Sequence, residues 1–468
     1  MTRRLGMVIG TLTLVAAACG GGGSNEPADA GGGAANGGGA SKSEVAIPGA
    51  AWTRVEGDPA GGPGAQRLEA VAPLGDGFVA VGVDVATDSV VAWTTPDGDA
   101  WKRVEVEAGA GAAPVGGSGL LPRDVAASGD RVVIVGTIGS RCNLPACGRF
   151  EMVAWVSPDA GATWQRADVD RAFGKGAATH VSDVAATSEG FVAVGHTDGP
   201  SPADWEAVVW TSTDGTTWNV AAEFPPVAWP IVGVQLATTD DVIGVLAEEA
   251  VCGDPFANGV FFALGAPFAT SSRGWTSIDG GATWTEMPAE QLAPLGVHPF
   301  PEAPACDDVA AVDALGDDDT IHLGGVSGAF YALPVSREGS SAVFSSTDFR
   351  RWDVGGGEAP FGGPPYEHVE ARTLAEVDGV VVALDVRRLQ ETEYVIRTWR
   401  ARDASSWEQV GDGADLPGPF RERTDFLKET LPLEVNDIAV NGDTAVIVAN
   451  QGPVVDELDG ALWVSRAR

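Results

Sequence analysis

Lysine is almost missing from this 468-residue chain: it stands only at positions 42, 102, 175 and 428, so arginine carries nearly all of the positive charge. Positive charge is scarce in total, with 29 basic against 65 acidic residues and a formal net charge of −36 at pH 7. A surface of that sign repels phosphate backbones and anionic headgroups, which excludes nucleic-acid binding and electrostatic adhesion to lipid. Histidine and tyrosine are sparse as well, at 5 and 3 residues. His180, His196, His298 and His368 lack the close spacing of a zinc site, and no Ser/His/Asp nucleophile motif or phosphate loop occurs.

What the chain has instead is one short turn, used again and again. TTPDGDAW, SPDAGATW, STDGTTW and SIDGGATW place Asp97, Asp159, Asp214 and Asp279 shortly before Trp101, Trp164, Trp218 and Trp284. Two degraded copies follow, STDFRRW with Asp348 and Trp352, and ARDASSW with Asp403 and Trp407. Successive aspartates lie 62, 55, 65, 69 and 55 residues apart, and repetition on that scale signals a solenoid or a propeller. A β-rich stretch ending in an aromatic precedes every copy, and a further strand opens at its tryptophan. Upstream come an apolar segment, a polar turn and a run such as FVAVG or VVIVG. Each unit is therefore four short strands, with Val, Phe and Trp on buried pleats and Gly-Asp or Asp-Gly in the turns. Within the turn, Ser or Thr and Asp side chains hydrogen-bond nearby amides, Gly accepts positive φ, and the tryptophan is expected to pack under the next blade.

Four-stranded units in series are propeller blades. The C-terminal stretch from VNDIAV to LWVSRAR supplies three strands without the turn, while AAWTRV, residues 50 to 55, reads as a fourth strand with no blade of its own. Joined, they make a seventh blade and leave no open edge. The expectation is an all-β, seven-bladed propeller over residues 47–468, or six blades if a degraded unit collapses. The tryptophans agree: seven (52, 101, 164, 218, 284, 352, 407) open fourth strands, and six (93, 155, 210, 275, 399, 463) end third strands, with Phe344 as the seventh. Only Trp205 and Trp229 fall outside the repeat.

The turn resembles the Asp-box, or BNR repeat, of the sialidase-like propeller superfamily, and the resemblance covers residues 50 to 468. SPDAGATW and SIDGGATW match the full Ser-x-Asp-x-Gly-x-Thr-Trp pattern, and the other copies lack a residue or the glycine. The same box serves sialidases, other glycan-active enzymes, photosystem assembly factors and sorting receptors, so the resemblance implies a fold and not an activity. A sialidase would need a tyrosine nucleophile helped by a glutamate, together with an arginine triad. The best local match is PPYEHVEAR, with Tyr366, Glu367, His368, Glu370 and Arg372. No Arg-Ile-Pro segment precedes the first box, no arginine trio can be assigned, and seven blades depart from the six of sialidases.

The first residues give an address. MTRRLGMVIGTLTLVAAACG joins two arginines to an apolar run and small residues ending at a cysteine, which reads as a secretory signal rather than a membrane span. Ala16-Ala17-Ala18-Cys19 resembles a bacterial lipobox, so residues 1–18 are expected to be removed and Cys19 lipidated. Residues 19–46 form a Gly/Ala/Ser-rich linker that cannot bury a core. The expected location is the outer face of the cytoplasmic membrane, with the lipid as sole membrane contact and the protein as a monomer. Four cysteines remain after Cys19, an even number in an exported chain. The blade register places their loops on one face, where Cys142 with Cys147 and Cys252 with Cys306 are the expected pairs.

All the variation in loop length falls on that same face, in stretches such as 106–121, 246–273 and 411–434, whereas the opposite turns stay short. Long loops on a rigid scaffold are where binding residues concentrate. The candidates there are Trp205 and Trp229 as a stacking platform, with His196 and His368. Asp124, Asp183 and Asp437 occupy aligned positions in first strands at the channel mouth, a partial acidic ring suited to calcium; no other cofactor is expected. The function these features support is binding of an envelope protein or a glycan. Glycoside hydrolysis by a carboxylate pair is the alternative, and holding membrane-protein subunits during assembly is a third reading.

The anchor makes the first prediction: the wild-type chain incorporates labelled palmitate in a bacterial host, and Cys19→Ser does not. Label retained by the variant would leave an ordinary signal peptide with an incidental cysteine.

Overall fold

The computed structural model describes residues 45–56, 65–107, 118–140, 151–169, 178–198, 205–226, 231–250, 270–295, 320–326, 328–335, 343–354, 368–390, 393–402, 406–410, 414–416, 433–451 and 459–467. They form seven antiparallel sheets, six of four strands and one of five. Blade 1 consists of Gln66–Leu74, Gly77–Asp84, Ser89–Thr95 and Lys102–Glu107, paired in that order. The first strands of blades 2 to 7 are Ser118–Ser128, Ala178–Thr187, Ile231–Thr238, Thr320–Val326, His368–Val377 and Glu434–Asn441. Blade 7 is closed from the other end of the chain: Thr53–Arg54 lies along Asp459–Arg466, Thr53 opposite Val464 and Arg54 opposite Trp463. Among the described residues no helix is long and apolar enough to cross a membrane.

A blade has no interior. Its side chains alternate between two faces, and each face is buried only against a neighbouring blade. Among the described residues the apolar side chains accordingly fall into seven clusters, one at each seam. Phe78, Ala80 and Trp93 of blade 1, for example, meet Val446, Val448 and Val464 of blade 7. The turn tryptophans share these seams with the preceding blade, not the next one as the sequence suggested. Trp101 joins the cluster with blade 7, Trp218 packs with Val133 and Val156 of blade 2, and Trp352 packs with Leu246 of blade 4. The cause is the glycine three residues earlier. Its bare Cα lies on the preceding blade, so that a Cβ on Gly98 would meet Val464 and Val446, and the turn leans backwards.

Within a complete turn every side chain has a bond to make. Ser157 Oγ accepts the Gly161 N–H at 2.8 Å and donates to Asp159 Oδ1 at 2.9 Å. Asp159 accepts the Thr163 N–H and O–H, both at 2.7 Å, and Trp164 Nε1 donates to Gly161 O at 3.1 Å. Those bonds from Thr163 hold the Asp159 carboxyl below its ordinary range, and Thr283 does the same for Asp279. Asp403 lies outside the described residues.

The degraded turn of blade 5 is compensated across its seam. Phe349 stands where the glycine should be, in the left-handed region at φ +61°, and its ring is wholly buried. The ring lies against Gly244 of blade 4, where any Cβ would strike it. It meets Phe330 and Trp352 edge to face at 5.0 and 5.3 Å. One glycine has in effect moved to the opposite wall of the seam.

Phe349→Ala is therefore expected to lose about 3–5 kcal/mol of stability through the cavity it leaves, measured as a fall in the denaturant midpoint. Phe349→Gly relieves the strained φ but leaves the same cavity, and should recover only a small part. A loss below about 1 kcal/mol for Phe349→Ala would show that the ring does not hold the seam.

Candidate functional site

The two ends of the ring differ in kind. One carries the turns between first and second strands, such as Gly75–Asp76, Gly129–Asp130 and Gly442–Asp443, along with the repeated tryptophan turns. At the other end first strands begin and second strands finish. There the first strands, being innermost, border the channel.

In six of the seven first strands the pairing slips by one residue close to this loop-bearing end. The residues passed over are Glu69, Arg123, Ser182, Val232, Glu370 and Asn436. Glu69, Arg123, Ser182 and Asn436 reach solvent to some degree, while the residues on both sides of each are buried. A bulge takes one side chain out of the alternation. On the innermost strand that side chain has only the channel to enter. The result is a polar girdle inside the channel mouth. Arg67 Nε lies 3.3 Å from Glu69 Oε1, and its Nη2 reaches Glu434 of blade 7 at 3.9 Å; Asn436 donates to Leu68 O. Reasoning from the sequence missed the girdle, because Leu-Glu-Ala and Val-Ser-Asp look like ordinary alternation until the partner strand shows the slip.

The same bulges correct the expected calcium ring. Asp124, Asp183 and Asp437 each follow a bulged residue, so they turn into the seams and away from the channel, at 0%, 4% and 2% exposure. Each carboxylate reaches forward to the next blade. Asp437 Oδ2 accepts the Val71 N–H at 2.8 Å, Asp124 Oδ2 that of Val184 at 2.7 Å, and Asp183 Oδ2 that of Leu236 at 3.3 Å. They are clasps between blades 7 and 1, 2 and 3, and 3 and 4. Among the described residues no three His, Cys, Asp or Glu side chains come together to hold a metal ion. Burial pushes the Asp183 carboxyl well above its ordinary range, helped by the charge and hydrogen bond of Asp124.

A second feature joins residues far apart in sequence. His180 and His196 pair directly across the first two strands of blade 3, their rings stacked 4.7 Å apart at 16°. Trp205 continues the row, stacked on His196 at 6.0 Å and 19°. Trp205 is only 6% exposed, so it backs the histidine and is not an open platform. The row faces blade 4, where Arg273 lies over the Trp275 ring at 4.8 Å and donates to Pro225 O at 2.7 Å and Glu286 at 2.7 Å. Arg273 Nη1 also stands 3.5 Å from the buried Glu249. Near the loop-bearing end this seam therefore carries rings and charges beside its aliphatic packing.

Other expected site residues are not brought into this group. Trp229, Tyr366, Glu367 and His298 lie outside the described residues, as do Cys19, Cys142, Cys147, Cys252 and Cys306. His368 opens the first strand of blade 6 opposite Arg388.

No family model matches the chain, and no curated protein matches its sequence. Solved structures do match in shape. Trypanosoma rangeli sialidase is 10% identical with a TM-score of 0.40, over 86% of this chain and 55% of that one. A Dyadobacter fermentans protein of unknown function is 12% identical with a TM-score of 0.41, over 90% and 99%. The β-propeller domain of the Trilobed protease from Pyrococcus furiosus is 9% identical with a TM-score of 0.41, over 85% and 95%. The chain spans about half the length of the sialidase it matches, and likenesses this remote carry no argument about what the chain does.

The clasp predicts a pH dependence. Asp183 binds its proton more tightly folded than unfolded, so its contribution is intact below the unfolded carboxyl value near 4 and declines as pH rises. Asp183→Asn keeps an acceptor for Leu236 without the charge. It should melt above wild type at pH 8, with the gain vanishing below about pH 4; a gain that is the same at both values would refute the assignment.

Proposed function

We propose that this chain is a lipid-anchored, extracytoplasmic propeller that binds a protein or glycan of the cell envelope at the channel mouth on its loop-bearing face. The observation that carries the reading is the difference between the two ends of the ring. At the turn end the four complete turns repeat one hydrogen-bonded pattern whose side chains satisfy one another, as a scaffold requires. At the loop end lie the polar girdle and the His180–His196–Trp205 row, whose side chains take no part in the repeated turns. The signal-like N-terminus, Cys19 and the linker that follows support the anchored location.

Arg123 of the girdle and His180, two residues before the bulge of blade 3, are the natural contacts for a polar ligand. Melting the protein against cell-wall fragments, other glycans and soluble envelope proteins tests the reading. A partner at a hundred times its dissociation constant adds about 2.7 kcal/mol to stability. The shift should disappear in the Arg123→Ala, His180→Ala double variant and persist in Asp130→Asn at the turn end. A shift lost in Asp130→Asn and kept in the double variant would place binding on the wrong face.

A further inference from the structure

We propose that the two ends of the chain together build a seventh tryptophan turn, and that residues 45–55 are a separable strap closing the ring through it. Neither end contains the motif. Ser465 follows Trp463 by two residues, as Ser157 follows Trp155, Ser212 follows Trp210 and Ser277 follows Trp275. Gly49 precedes Trp52 by three residues, as Gly98 precedes Trp101, Gly161 precedes Trp164, Gly215 precedes Trp218 and Gly281 precedes Trp284.

The geometry of a turn is reproduced across a separation of 416 residues. The Gly49 N–H donates to Ser465 Oγ at 2.8 Å. The corresponding glycines donate to Thr95, Ser157, Ser212 and Ser277 at 2.9, 2.8, 2.8 and 2.9 Å. Gly49 has φ +107°, beside +80°, +80°, +72° and +91° in the four complete turns. Its bare Cα also lies against the preceding blade, where a Cβ would meet Thr398 and Leu384 of blade 6. Ile47 and Trp52 fill the seam between blades 6 and 7.

This seventh turn is weaker than the four complete ones. Ala467 stands two residues after Ser465, where an aspartate would brace the amides, and the buried Trp52 Nε1, like that of Trp352, has no hydrogen-bond partner, whereas the indoles of the four complete turns bond to glycine carbonyls. Beyond the turn, the strap adds two ladder pairs and a bond from Val55 N to Leu462 O at 2.9 Å. Local opening follows from so few bonds. Blade 7, which the strap secures, carries Asn436 of the girdle and the Asp437 clasp to Val71. Loosening it is therefore felt at the channel mouth, a consequence that rests on the binding reading above, whereas the latch itself does not.

Hydrogen exchange on the full chain tests both parts. The amides of Gly49 and Val55 are expected to exchange together, about tenfold or more faster than those of Gly98, Gly161, Gly215 and Gly281. Ser465→Ala should speed Gly49 and Val55 further without changing the four complete turns, and Ser465→Thr should restore wild-type rates. Equal protection at Gly49 and the four glycines in the wild-type chain, which needs no variant to fold, would overturn the separable strap. An unchanged Gly49 in Ser465→Ala would overturn the split motif. The Val71 amide reports the channel side. Faster exchange there in Ser465→Ala supports the coupling, and an unchanged rate sinks that coupling while leaving the latch in place.

Discussion

A four-stranded blade exposes two apolar faces and owns no core, and everything else in this protein follows from the need to bury both at once. Stacking in a line would leave two faces uncovered, whereas a ring covers all of them. The seven clusters at the seams are the result, each drawing on consecutive blades. Because stability is held between units, a change in one blade has to be met in the next. Phe349 and Gly244 record such an exchange, a side chain gained on one wall and given up on the other.

Polar groups in the seams serve the same end by a different route. A carboxylate placed just after a bulge can accept an amide of the neighbouring first strand, and thereby fixes the height of one blade relative to the next. Asp437, Asp124 and Asp183 do this at three seams, while Ala70, Gly233 and Ala371 follow the bulges of the other three. The cost appears in Asp183, whose carboxyl is pushed well above its ordinary range by burial and further by the neighbouring Asp124. Bulges in turn supply the girdle, so the device that sets the seams also furnishes the channel with Glu69, Arg123, Ser182 and Asn436. Scaffold and candidate site share one cause.

Much of the architecture was legible beforehand because its signals are local. Trp-x-Ser and Gly-x-x-Trp are spacings within a single turn, and the alternation of Val and Ala in FVAVG reports a strand buried on both sides. Joining AAWTRV to the last strands needed only the count of strands per unit, and the pairing of Thr53 with Val464 agrees with it. The direction in which the tryptophans lean is not legible in the sequence, since it depends on which wall receives the glycine. The alignment of the aspartates is legible but their direction is not, because a one-residue slip reverses the side to which a strand residue points and leaves no mark in composition or period.

The sequence by itself determined that the chain is a closed ring of β units and that it is acidic, since each of these is a matter of repetition or charge. Only the tertiary structure decided which residues meet: His180 with His196, Phe349 with Gly244, Gly49 with Ser465. Contacts of that kind depend on strand register and on the closure of the ring, which couple positions through space. No short stretch of chain can hold that information, because both partners are ordinary where they stand and become a site or a latch only when the last blade meets the first.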